Sequence, residues 1–160
     1  YTTLLQDAQA DLEAVAQSVA DGNVRLAGLQ GEIDRLHREI QALGGEAAPN
    51  YDSVSDFKAA ENIVQTAVKT FGRIDILVNN AGIVRDRSIG KMSEEDFDAV
   101  LAVHLKGSFN CGRHAIPLMR EQGYGRIINI TSSAGLRGNF GQTNYGAAKA
   151  GLMGLTLVWA

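Results

Sequence analysis

The chain has little of what several protein classes are built on. Its 160 residues include one cysteine, Cys111, which cannot form a disulfide within the chain. That excludes a disulfide scaffold, fits a reducing compartment, and leaves Cys111 as a small residue expected to be buried. No apolar run approaches the roughly 20 residues that a membrane-spanning helix requires, and no basic-then-apolar segment opens the chain. A soluble, intracellular protein with no membrane partner is expected. Basic residues are not in excess, since 15 Lys and Arg stand against 18 Asp and Glu and are scattered. The resulting net charge of -3 argues against nucleic acid as a partner. Of the three histidines, His37 and His114 lie in segments unrelated to His104, with no second His or Cys at ligand spacing. No metal site is expected.

What remains is 45% hydrophobic and long enough for one domain with a real core. The chain begins at Tyr1 rather than Met and its last helix stops at Trp159-Ala160, which reads as a fragment at both ends. Residues 126 to 160 carry most of the chemistry. The run Arg126 to Thr131 is short, β-branched and bounded by Gly125 and a Ser-Ser-Ala-Gly cluster, as in a strand buried on both faces. Ser132 then sits at a strand's carboxyl end, where open parallel sheets place their ligands. After a loop through Gly135, Gly138 and Gly141, a helix opens at Tyr145, and Lys149 falls on the same face one turn on. A free phenol has a pKa of roughly 10, and a fixed cation beside it favours the phenolate. Tyr145 could then exchange a proton with a substrate oxygen while Ser132 hydrogen-bonds that oxygen. The pair suits hydride transfer to a cofactor; a surface Tyr and Lys on one helix face is the plainer reading.

Ser132 lies thirteen residues before Tyr145, and Asn79-Asn80-Ala81-Gly82 directly follows the strand-like run Ile74 to Val78. In this order these residues resemble the short-chain dehydrogenase/reductase family. Segments such as Asn50 to Val54, Gly82 to Ser88, Val103 to Phe109 and Gly138 to Gln142 look like the (3R)-hydroxyacyl-CoA dehydrogenase domains of peroxisomal multifunctional enzymes of type 2 and their bacterial relatives. The likeness covers roughly residues 35 to 160. It implies that Ser132, Tyr145 and Lys149 are catalytic, with His104 in the place where most of the family carries an Asn of a proton-relay group. By itself, an inward-facing lone His is read as a hydrogen-bonded core residue or a relay, not a base. The likeness also implies cofactor contacts at Asp52, Asn79, Ala81, Gly82, Tyr145 and Lys149. Asp52 would meet the adenine, although an acid there also suits a helix N-terminus. The implied cofactor is NAD, with NADP not excluded, the implied substrate a secondary alcohol such as a 3-hydroxyacyl-CoA thioester. The implied assembly is a homodimer or homotetramer, the compartment cytoplasmic, or peroxisomal in a eukaryote.

The N-terminus does not share this likeness. Leu5, Ala8, Leu12, Val15 and Val19 are spaced 3, 4, 3 and 4, and Leu26, Leu29, Ile33, Leu36, Ile40 and Leu43 continue in kind, with the breaker Asp21-Gly22-Asn23 between. Residues 1–43 therefore read as a helical hairpin, and 44–160 as the central part of a short-chain dehydrogenase domain. No glycine-rich turn after a strand appears before Gly44, so the family's pyrophosphate site is not legible. Further on, Ala47 to Tyr51 reads as an edge-like strand, and a helix capped by Ser53 or Ser55 runs through Phe57, Val64 and Phe71 to Gly72. Ser93-x-x-Asp96 opens a long helix that Pro117 bends or ends. The expected fold is α/β: a partial doubly wound, Rossmann-like parallel sheet of about three strands with flanking helices. The expected function is that of an oxidoreductase. Its rival is a truncated, non-catalytic relative acting as an association module.

Overall fold

The structure is a computed structural model that describes residues 28–160, so the first helical seam and the turn at 21–23 lie outside the described residues. It divides into two units, Tyr1–Pro49 and Asn50–Ala160. In the first unit, residues 28–42 are helical (α1). This helix ends as its glycines dictate. Gly44 takes a left-handed φ of 78°, its N–H bonds the Gln41 carbonyl at 2.9 Å, and the Gly45 N–H reaches back to Ile40 at 3.0 Å. That double closure satisfies carbonyls left orphaned at a helix end.

The second unit carries α2 (Phe57–Phe71), β1 (Ile76–Asn79), a 3-10 turn (Ile89–Lys91), α3 (Glu94–Leu101), a π turn (Ala102–Lys106), α4 (Gly107–Glu121), β2 (Arg126–Asn129), α5 (Ala134–Arg137) and α6 (Thr143–Trp159). β1 and β2 pair in parallel, with Ile76 opposite Arg126 and Asn79 opposite Asn129. On one face, Leu77 and Ile127 pack with Val64 and Val68 of α2 and with Ala115 and Met119 of α4. This is the core that sets the strands' carboxyl ends in place.

Several expectations are corrected here. The sheet has two strands among the described residues, not three, because Ala47 to Tyr51 forms no strand. Asn50 bonds locally instead: its Oδ1 accepts the Asp52 N–H at 2.8 Å and its Nδ2 donates to Thr66 Oγ1 at 2.8 Å. A strand needs a neighbouring strand to pair with its backbone, and among the described residues none pairs with this run. β2 is not buried on both faces, since Ile76 (56% exposed), Val78, Ile128 (47%) and Ile130 stay open on the face away from α2 and α4. The cap of α2 is Asp56 rather than Ser53 or Ser55; its carboxylate accepts the Ala59 N–H at 2.7 Å, while the two serine hydroxyls bond each other at 2.8 Å. The glycine-punctuated loop holds a single helical turn, α5, and α6 starts at Thr143, two residues before Tyr145. The cap at Ser93 is as read, with its hydroxyl accepting the Asp96 N–H at 3.1 Å. Pro117 sits inside the last turns of α4 without ending it.

Candidate active site

The site gathers where β2 ends against the first turns of α6. Two hydrogen bonds join them: Lys149 Nζ donates to the Ile130 carbonyl at 2.5 Å, and Thr131 Oγ1 donates to the Lys149 carbonyl at 2.8 Å. Ser132 follows immediately, half-buried, its hydroxyl accepting the Ala134 N–H at 3.2 Å and shaping the entry to α5. The close approach of α5 to α6 needs Gly135, where a Cβ would stand 2.7 Å from the Ala150 nitrogen.

Lys149 is buried, at 4% exposure, and its Nζ lies 5.5 Å from the Tyr145 ring centroid. Among the described residues no carboxylate forms an ion pair with it. Burial therefore pushes the ammonium's pKa down, since the charged form loses its water. The arrangement leaves one uncompensated positive charge beside one phenol ring.

His104 closes the other side of Tyr145, with the two rings perpendicular and their centroids 5.1 Å apart. It sits in the π turn, in which the Gly107 N–H bonds Ala102 five residues back rather than four. Single π turns inside α-helices tend to mark functional positions. The imidazole Nε2 lies 3.1 Å from the Ile83 nitrogen and 2.8 Å from the Ile83 carbonyl oxygen. It accepts the N–H in one tautomer and donates to the carbonyl in the other. Nδ1 is buried with no partner. Burial lowers the pKa of His104, the Ile83 backbone bond raises it, and the Lys149 charge lowers it further. The ring is held neutral.

His104 also explains a glycine. A Cβ on Gly82 would fall 2.3 Å from His104 Cε1, so the turn after β1 lies directly on the imidazole. Asn79, at the end of β1, is buried, and its amide donates to Asn129 Oδ1 at 2.8 Å, tying the two strand ends together. Ser132, Tyr145, Lys149 and His104 thus come together, with Gly82 against His104 and Ala81 exposed beside it. Asp52 is bonded instead to Asn50 in the exposed segment before α2.

Sequence reasoning missed Asn144. Fully buried, it donates from Nδ2 to the Arg85 and Asp96 carbonyls, both at 3.0 Å, while its Oδ1 accepts the Tyr145 N–H at 2.8 Å. One side chain thereby pins Tyr145 to the loop after β1. The signal was an Asn in the first turn of a helix, where its amide reaches backbone groups. A second latch, Arg87 N–H to the Gly141 carbonyl at 2.9 Å and Gln142 Nε2 to Asp86 Oδ2 at 2.9 Å, holds the loop before α6. Two larger cavities lie on other faces, one of about 640 Å³ beside β2 and one of about 830 Å³ between α3–α4 and α6.

The model of one family, described as short chain dehydrogenase, matches residues 12–160. The chain is 57% identical over 126 residues to a peroxisomal multifunctional enzyme type 2 of Drosophila melanogaster, covering 79% of this chain and 21% of that protein. It is 46% identical over 128 residues to a 3-oxoacyl-[acyl-carrier-protein] reductase of Thermotoga maritima, covering 80% of this chain and 52% of the reductase. A crystal structure of a short chain dehydrogenase from Mycobacterium avium superposes with a TM-score of 0.75 at 54% identity, covering 79% of this chain and 47% of that one. The chain thus spans from about a fifth to about half the length of these proteins.

Proposed function

Because the chain belongs to the short-chain dehydrogenase family, we propose that it serves hydride transfer between a secondary alcohol, most specifically a 3-hydroxyacyl thioester, and a nicotinamide cofactor. The observation that carries this reading is the convergence of Tyr145, Lys149, His104 and the Ser132 turn on one place. The acyl substrate is suggested by the names of two relatives, the 3-oxoacyl-[acyl-carrier-protein] reductase of Thermotoga maritima and a peroxisomal hydratase-dehydrogenase-epimerase of Neurospora crassa. NAD is the cofactor proposed first, with NADP its alternative.

The described residues fit the nicotinamide end of such a cofactor. Ala81 and Gly82 offer exposed backbone after β1, Lys149 a buried cation, and Tyr145 a half-buried hydroxyl beside it. Asn79 acts by bracing that turn through Asn129. Asp52 stands in an exposed segment suited to an adenine edge. The bound nicotinamide supplies the acceptor or donor of the hydride. Everything else belongs to the chain. Tyr145 takes the proton of the alcohol at its phenol oxygen, or returns it in the reverse direction, while Ser132 donates a hydrogen bond to the same substrate oxygen. Lys149, desolvated and unpaired by carboxylate, holds positive charge next to the oxygen that must carry negative charge during that exchange. His104 and Asn144 fix the ring's position. The compartment proposed is cytoplasmic, or peroxisomal in a eukaryotic host.

The test is absorbance at the reduced-nicotinamide band with a 3-hydroxyacyl-CoA and NAD, and in parallel NADP. Turnover that Tyr145→Phe abolishes supports the reading. Absence of turnover with both cofactors, in protein whose fold is intact by circular dichroism, favours the rival, a relative that associates without catalysing.

A further inference from the structure

Outside the site, one feature is left without a use: the apolar face of α1. Leu29, Ile33, Leu36, Ile40 and Leu43 recur at spacings of 4, 3, 4 and 3; Ile33 is half-buried and the other four are exposed, Leu29 to 54% and Leu43 to 88%. Several polar positions, in contrast, bond one another along the helix. Arg35 bonds Glu32 at 2.6 Å and also Glu39, and Gln30 donates to Asp34 at 3.1 Å. An amphipathic helix whose apolar stripe faces water is half of an interface.

We propose that this helix pairs with α1 of a second copy of the chain as a parallel, two-stranded coiled coil. The residue types name the occupant. With Leu26 set at position a of the heptad, Ile33 and Ile40 fall at a, and Leu29, Leu36 and Leu43 fall at d. β-branched residues at a with Leu at d favour two parallel strands over three or four. The same register brings Glu32, at g, opposite His37, at e, of the copy, a carboxylate facing imidazole N–H donors. Glu39, the next g residue, has no e partner and meets no like charge, because Gly44 turns out of the helix with a left-handed φ.

The proposal is independent of the catalytic reading, and its test uses no substrate. Leu36→Cys and Leu43→Cys, both at d, are made in the full chain, with Arg38→Cys at the outward f position as the control. Leu43 is so exposed that its replacement leaves folding intact. Under mild oxidation both d variants should give a covalent dimer as the main species, reversed by dithiothreitol, with less than about a tenth cross-linked at 38. The buried Cys111 contributes equally to all three. No interchain disulfide at 36 and 43, as when the seam folds back on residues 4 to 20 of its own chain, overturns the proposal. So does equal cross-linking at 38, or a monomeric mass for the unmodified chain by light scattering.

Discussion

Tyr145 is held from three directions, by His104 edge-on, by Lys149 over the ring and by Asn144 at its backbone N–H, so its hydroxyl is what a substrate would meet as a fixed group. Tyr145→Phe keeps all three contacts and removes only the exchangeable proton. Its kcat should fall at least ~100-fold, the scale of a general acid or base, with thermal stability unchanged in the same preparation. His104 gives a prediction of a different kind. Its folded pKa is lowered by burial from an ordinary value of 6.5, so the unfolded chain takes up the proton first as pH falls. Stability contributed by the neutral ring is present above pH 6.5 and is lost as pH drops through that value toward the folded pKa. Urea melts at pH 7.5 and 5.5 should show a larger acid loss in the unmodified protein than in His104→Asn. Equal losses in the two would mean that His104 is not the group being protonated.

At the scale of elements, the turn after β1 and the π turn are one fitted unit. Gly82 and His104 touch where a methyl group would overlap the imidazole. Gly82→Ala should cost about 1–3 kcal/mol, the usual range for overpacking a close contact. His104→Ser should recover most of that, a coupling that a double-mutant cycle of denaturation measures. Simple additivity of the two changes would show that the turn relaxes away from the ring. This scale also shows what was legible in the sequence. Helices were, because α2 and α3 carry a glycine stop and an Ser-x-x-Asp start that act locally. The Ser, Tyr and Lys were, because their spacing is itself the pattern. Strand count was not, since an extended run such as Ala47 to Tyr51 becomes a strand only if a neighbouring strand accepts its backbone bonds, and none of the described residues pairs with it in that way. Nor was the π turn, which no residue type announces; it emerges from packing His104 between Ile83 and Tyr145. Gly82 was noticed for backbone approach to a cofactor, yet its tightest neighbour is a side chain 22 residues on, and such reciprocity is invisible along one chain.

For the whole molecule, two expectations concern what it meets. The groove between α3–α4 and α6, lined by Leu101, Leu105, Phe109, Gly151, Leu155 and Val158, is apolar and about 830 Å³. With Gly151 admitting Leu105 between the helices, a second copy is the partner that the family resemblance implies, and light scattering at micromolar concentration should return at least a dimeric mass. NAD should bind far more weakly than it would to a family member with an intact phosphate site. A pyrophosphate needs free N–H groups at a helix N-terminus and glycines that let it approach, and the seams spaced 3 and 4 before Gly44 leave no strand and turn legible for that purpose. Asp52, Ala81, Gly82, Tyr145 and Lys149 would supply single contacts worth ~1 kcal/mol each, which do not replace a phosphate site. A dissociation constant in the millimolar range, about -4 kcal/mol, is therefore expected from calorimetric titration. Tyr145 and Lys149 would still act on whatever fraction is bound, so turnover should rise almost linearly with NAD up to roughly a tenth of a millimolar and approach saturation only above several millimolar. A micromolar constant with early saturation would place a phosphate-binding turn within residues 1–43 or on a second chain, because single contacts of ~1 kcal/mol do not sum to the roughly -8 kcal/mol of that affinity.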